Sequence, residues 1–231
     1  MRRTPKRHSM KDSKLYADKI KKLYRALKRS GNKVQPVSYE DPLEALVYGL
    51  LSEPVTESQA QAAHKRMARH FVDLNDLRVA RSDEIVDLFG EDSPSVREAA
   101  GRLTRVLMAV FNKFHGLTLT GIKKLGKRPA KQLIEALDGV SPFAVEYCVL
   151  TSLQGHAIPL NGRMIEYLKA EGLVHPDSAP EEIEGFLTKL VPAKEGCEFY
   201  MLLKAQSESW RPSDKKTAAA AEGAKRGHKK K

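Results

Sequence analysis

Leu137-Asp138-Gly139-Val140-Ser141-Pro142 is the stretch of this sequence best suited to chemistry, and that chemistry is the holding of a phosphate. Helices predicted over 129–136 and 142–153 flank a tight Asp138-Gly139 turn, forming a helical hairpin over 129–153. Such a hairpin aims backbone N–H groups and the positive end of its second helix at one anionic group. Gly139 lets the backbone turn and approach a ligand closely, Val140 pins the turn between the helices, and Ser141 offers an amide and a hydroxyl. An ordinary helical corner has the same local pattern, so the stretch taken alone leaves both readings open. Groups for covalent or metal chemistry are sparse. His64 and His156 have no partners at metal or triad spacing, and Cys148 and Cys197 cannot form a disulfide framework or a four-thiolate site.

Charge around the hairpin agrees with a polyanion. Between Ala99 and Ile134 there are eight basic residues, Arg102, Arg105, Lys113, Lys123, Lys124, Lys127, Arg128 and Lys131, and no acid. The formal net charge of +11 is concentrated at the ends: residues 1–30 carry +10, residues 211–231 carry +6, and the body between them carries −5. A lysine or arginine placed on a phosphate releases a counterion, so nucleic acid is the partner class to expect. Solvated helix faces and solubility tails are the plainer reading of the same charges.

The elements that position these groups read as helices throughout. Residues 13–29 put Tyr16, Ile20, Leu23 and Leu27 on one stripe. Asp41-Pro42 starts a helix by N-cap and first-turn proline, and its run Leu43, Leu46, Val47, Leu50, Leu51 is apolar enough for a central position. Thr56 and Gln59 form a capping box for a helix reaching Phe71. Further helices are predicted over 82–89, 94–114, 161–171, 179–190 and 195–208, giving nine or ten in all and almost no strand signal. The Ala/Lys/Gly-rich stretch after Pro212 and the basic residues 1–12 lack large apolar side chains and are expected to be disordered arms. No run of eighteen apolar residues occurs, and no apolar segment follows the basic start, so neither a membrane span nor a secretory signal is expected.

Three segments, in order and spacing, resemble the endonuclease III branch of the helix-hairpin-helix (HhH-GPD) DNA glycosylases over residues 15–208. Leu50-Leu51-Ser52-Glu53-Pro54-Val55-Thr56-Glu57 is similar to that family's Leu-Leu-Ser-x-Gln-x-Thr-Asp segment. Leu137-Asp138-Gly139-Val140-Ser141 is similar to its Leu-Pro-Gly-Val-Gly hairpin, and Ala157-Ile158-Pro159-Leu160-Asn161 to its Ala-Val-Asp-Thr-His stretch. The interval of eighteen residues from Phe143 to Asn161 equals the family's interval between its lysine and aspartate positions.

The resemblance implies a Schiff-base lysine where Phe143 stands, and Phe143 has no nucleophilic atom, so an imine to an abasic sugar cannot form there. It implies a carboxylate where Asn161 stands. Asn161 can still cap a helix, but it carries no charge and takes no proton, and one such lost contact costs on the order of 10²–10³ in rate. Pro54 replaces the glutamine with which many relatives fill the gap left by a flipped base, and Asp138 and Ser141 replace a proline and a glycine of the hairpin. Glu146, three residues after Phe143 and near its helical face, is the candidate substitute carboxylate, with Glu166 a poorer one.

The expected fold is therefore all-α, a two-lobed helical bundle of the glycosylase type spanning 13–210, with basic arms at 1–12 and 211–231. The expected function is an endonuclease III-like DNA-binding protein of base-excision-repair type, without lyase activity and catalytically inactive. An active monofunctional glycosylase, or a nucleic-acid or protein-binding scaffold unrelated to repair, is the alternative. DNA contacts are expected from Gly139, Val140, Ser141, Lys123, Lys124, Lys127, Arg128 and Lys131. The expected partner is double-stranded DNA, damaged or abasic, bound by an intracellular monomer with no metal and no iron–sulfur cluster.

Overall fold

The chain is described by a computed structural model over residues 13–30 and 35–212, so the arm expected at 1–12 and the tail beyond 212 lie outside the described residues. The elements in order are α1 (Ser13–Arg29), α2 (Pro42–Ser52), α3 (Glu57–His70), α4 (Leu74–Val79), α5 (Ser82–Phe89) and α6 (Pro94–Phe114). A 3-10 turn (Thr120–Leu125) leads to α7 (Lys127–Glu135), α8 (Pro142–Thr151), α9 (Gly162–Ala170), α10 (Pro180–Leu190), a second 3-10 turn (Ala193–Glu195) and α11 (Gly196–Ser209). No strand occurs among the described residues, and none of their helices is long and apolar enough to cross a membrane.

The local signals act where the sequence puts them. Asp41 accepts from the Leu43 N–H at 2.9 Å, and the same carboxylate takes the Leu119 N–H at 2.9 Å and the Thr118 hydroxyl at 2.6 Å, fastening the loop before the first 3-10 turn to the start of α2. Thr56 and Gln59 close both halves of their capping box. Apart from Glu44, every residue of α2 is buried. Each of its large apolar side chains contributes about 1.5–3 kcal/mol by leaving water, which fixes α2 at the centre.

Around that centre the helices form two lobes. α2, α3, α5 and α6 pack as one group with α4 against α6, while α11 gathers α1 and α9. α8 joins them, packing on α2, α7 and α11. Its crossing with α2 is close: a Cβ at Gly49 would stand 3.1 Å from the Ala144 Cα. α4 is the helix absent from the sequence reading. It has six residues of which only Leu77 is buried, too short for a periodic signal, and Asp73 holds it by accepting from the Asn75 and Asp76 N–H groups.

Candidate functional site

The hairpin forms between α7 and α8. Gly139 has φ +86°, and Ser141 is the N-cap of α8, its Oγ accepting from the Ala144 N–H at 3.1 Å. The close approach that Gly139 permits is toward α6 rather than outward: an added Cβ would stand 2.8 Å from the Arg102 carbonyl oxygen. Val140 is half-buried against the core, and its carbonyl accepts from Arg102 Nη1 at 3.4 Å. The Gly139 and Ser141 N–H groups have no hydrogen-bond acceptor among the described residues. Gly139 is half-buried and its N–H remains available to an anion at the positive end of α8, whereas Ser141 is buried and its N–H is closed off with it.

The Ser141 hydroxyl is not available. It donates to Glu53 Oε2 at 2.6 Å, and Ser141 is 1% exposed. Glu53 follows the last residue of α2, a negative charge at the helix end where the macrodipole is itself negative. Burial pushes its carboxyl above the ordinary range, the Ser141 hydrogen bond and Arg102 pull it partly back, and Glu98 pushes it further up.

Beside Glu53 opens a cleft of about 570 Å³ between the two lobes, with walls from the α2–α3 loop, α6, the start of α9 and the end of α11. Glu53, Pro54, Glu98, Arg102, Asn161 and Arg163 are among its lining residues. Asn161 is 7% exposed and caps α9, its Oδ1 accepting from the Met164 N–H at 3.0 Å while its Nδ2 donates to the Glu53 carbonyl oxygen at 3.3 Å. Its capping role is thus observed. Arg163 turns away from the cleft centre, donating to the carbonyls of Ser207 at 3.2 Å and Trp210 at 2.6 Å and stacking on the Trp210 ring.

The other two candidates lie elsewhere. Phe143 is 3% exposed and packs with Tyr147 and Tyr200, its ring centroid 6.2 and 6.3 Å from theirs, and does not line the cleft. Glu146 does not line it either: its carboxylate pairs with Lys131 Nζ and neighbours Glu184 of α10, whose carboxyl is pushed up to about 7 by burial first and then by the Glu146 charge. The structure therefore brings Asn161 to the hairpin and leaves Phe143 and Glu146 outside, because α8 turns the face bearing Phe143 toward α11 and the face bearing Glu146 toward α7 and α10. Glu166 pairs with Arg163 at 3.3 Å, His156 bonds the Val191 carbonyl at 2.8 Å, and His64 lies edge-on to Tyr48 with its imidazole pushed toward the neutral form by burial.

The basic run divides in the same way. Lys123 donates to the carbonyls of Tyr39 and Glu40, Lys127 to that of Gln154, and Lys131 to Glu146. Lys124 and Arg128 are exposed and have no acceptor among the described residues. Glu53 is the site residue the sequence reading passed over, and one signal was present: an acid closing an otherwise apolar helix at its unfavourable end needs another reason to be there.

No group of three or more His, Cys, Asp or Glu residues among the described residues could hold a metal. The two cysteines, Cys148 buried in α8 and Cys197 at the start of α11, cannot supply the four thiolates of an iron–sulfur cluster.

No protein-family model and no curated protein matches the chain by sequence. Solved structures do match. A non-covalent endonuclease III–DNA complex superposes with TM-score 0.58 at 17% identity, over 83% of this chain and 82% of that one. The Clostridium acetobutylicum 8-oxoguanine glycosylase/lyase, in complex with double-stranded DNA, gives 0.60 at 18% identity over 84% and 71%. The H. pylori 3-methyladenine DNA glycosylase gives 0.58 at 12% identity over 87% and 99%. The chain has the helix-hairpin-helix DNA glycosylase fold.

Proposed function

We propose that the protein binds duplex DNA as glycosylases of this fold do, holding a backbone phosphate at the hairpin and admitting a nucleotide drawn from the duplex into the cleft, without an imine-forming lyase step. The observation that carries this reading is the unpartnered, half-buried N–H of Gly139 at the positive end of α8, one side chain (Ser141) away from the cleft that Asn161 and Glu53 line. Lys124 and Arg128, beside the start of α7, extend the positive surface. Two of the neighbours in fold are structures with DNA bound, which supports the same reading. Everting a base costs a few kcal/mol, least for a damaged, mismatched or missing partner, so lesions and abasic sites are the preferred substrates.

Fluorescence anisotropy with a short duplex at increasing salt tests this. Log affinity should fall linearly with log salt, by about 0.9 per phosphate engaged. Replacing Lys124 and Arg128 together with alanine should make that slope shallower by roughly two units, with similar loss on unrelated sequences. Affinity insensitive to salt, or an unaltered slope in the double variant with equal binding to RNA, would overturn the proposal.

A further inference from the structure

Four carboxylates line the cleft, and their surroundings separate them. Glu98 is well exposed and held by Arg102 through Nε at 3.0 Å and Nη2 at 2.6 Å, which keeps it ionised and committed. Glu91 is exposed at the rim, taking the Gln59 side-chain amide at 2.8 Å. Glu208 accepts from the Glu57 N–H at 2.9 Å and so caps the start of α3. Glu53 differs from all three. Like Glu208 it is partly shielded from water and bonded through one oxygen, but it alone is placed where the N-terminal ends of α8 and α9 meet.

That placement links it to both halves of the site. Through its side chain Glu53 touches Ser141, the hairpin residue that caps α8 two positions after Gly139; through its carbonyl it holds the Asn161 side chain. A phosphate on the hairpin would bring the adjoining sugar of an everted nucleotide to this corner of the cleft. Oε1 has no donor among the described residues and is the atom left to act.

Resting on the DNA-binding reading above, we propose that Glu53 supplies the carboxylate that Asn161 lacks, making the cleft a site for hydrolytic release of a base. In the step, the C1′–N bond of the nucleotide breaks and its electron pair leaves with the base nitrogen. Cationic charge growing on the sugar is stabilised by the Glu53 carboxylate at short range in a shielded site. A water oxygen bonds to C1′ and gives one proton to Glu53, the departing base takes up one proton from solvent, and Glu53 then returns its proton to solvent, so the sum is addition of one water to yield the free base and an abasic sugar. Asn161 acts as a positioning residue: it caps α9 and fixes the Glu53 backbone.

The test needs no knowledge of the lesion. Binding is measured to three duplexes that differ at one position: an ordinary nucleotide, a neutral tetrahydrofuran abasic analogue, and a pyrrolidine analogue whose protonated nitrogen mimics the cationic sugar. The wild-type protein should prefer pyrrolidine over tetrahydrofuran by about 10-fold or more, and Glu53→Gln should bring that ratio to about one while retaining tetrahydrofuran binding. Glu98→Gln, which removes the same charge from the cleft rim, should keep the preference. The ratio is the readout, since losing any negative charge raises affinity for all DNA. A wild-type ratio near one with intact duplex binding would overturn the role of Glu53 and leave the DNA-binding reading standing, as would an equal loss in Glu98→Gln. Failure to bind any of the three duplexes would overturn the DNA-binding reading itself. If Glu53→Gln fails to fold, Glu53→Asp carries the same test, with a reduced but measurable preference expected.

Discussion

Gly139 lies so close to Arg102 that a side-chain carbon on it would stand 2.8 Å from the Arg102 carbonyl oxygen, and 2.7 Å from the Arg105 Cβ. The hairpin is thus seated on the backbone of α6, with φ +86° at the contact. Gly139→Ala meets two penalties together: a left-handed conformation that costs an L residue roughly 1–2 kcal/mol, and overpacking that costs roughly 1–3 kcal/mol. A loss of about 2–5 kcal/mol in urea unfolding is expected, with an unchanged m-value. A loss below about 0.5 kcal/mol would show that α6 yields to the added methyl. It also means that DNA binding lost in this variant reports the fold before it reports the phosphate site.

Lys204 and Glu57 form an unequal pair. Lys204 is 3% exposed, donating to Glu57 Oε2 at 2.7 Å and to the Ser52 carbonyl at 3.5 Å, whereas Glu57 reaches solvent and also accepts from Tyr48 and Gln61. Removing the exposed partner strands the buried one. Glu57→Ala should therefore cost about 3 kcal/mol, near the low end for a broken buried pair because water can reach part of the gap. Lys204→Met, which leaves only the part-exposed Glu57 carboxylate unpaired, should cost less, under about 1.5 kcal/mol. Chemical denaturation of both variants checks the order, and equal losses would contradict the asymmetry.

The helices were legible because their signals are local. Asp41-Pro42 and the Thr56–Gln59 box each act within four residues, and the helices they open lie where the pattern puts them. The site was legible only in part, because its defining contacts span long stretches of chain. Asn161 showed itself through a spacing and a capping role. Glu53 meets Ser141 from 88 residues away, and nothing local to either residue announces the hydrogen bond. Counting lysines likewise marked a basic run, but which of them are consumed is decided by carbonyls on other elements, as for Lys123 on Tyr39 and Glu40 and Lys127 on Gln154. Glu146 shares a helix with Phe143, yet the twist of α8 sends the two to different neighbours.

Glu184 gives a pH dependence with a definite sign. Burial first, and then the neighbouring Glu146 carboxylate, push its carboxyl from 4.5 up to about 7, while Lys131 opposes the shift; Glu181 adds to it. A carboxyl whose folded pKa lies above its unfolded one binds more proton in the folded state between those values. Its contribution to stability is then complete at the acid end, falls as pH rises from about 4.5 to about 7, and is level beyond. Glu184→Gln keeps the shape and removes the ionisation. It should match wild type near pH 4.5 and be the more stable protein at pH 8, with the difference opening across that window. Parallel stability curves for the two proteins would contradict the shift.

Phe143 decides the lyase question. Its ring is buried with Tyr147 and Tyr200 and lines no part of the cleft. The wild-type protein should give no covalent adduct with an abasic duplex under borohydride, since no amine stands at this position and Lys204 is buried on Glu57. A trapped adduct that survives removal of the lysines outside the fold body would refute this. Phe143→Lys should not create the activity. It exchanges a packed ring for an ammonium among aromatic side chains, with a loss of about 3–5 kcal/mol from the vacated packing alone and a further penalty for any charge left unpaired. A protein melting well below wild type, and still giving no adduct, is the expected result. An adduct from Phe143→Lys would mean that α8 can turn this position toward the cleft, a rotation that the Phe143, Tyr147 and Tyr200 packing resists.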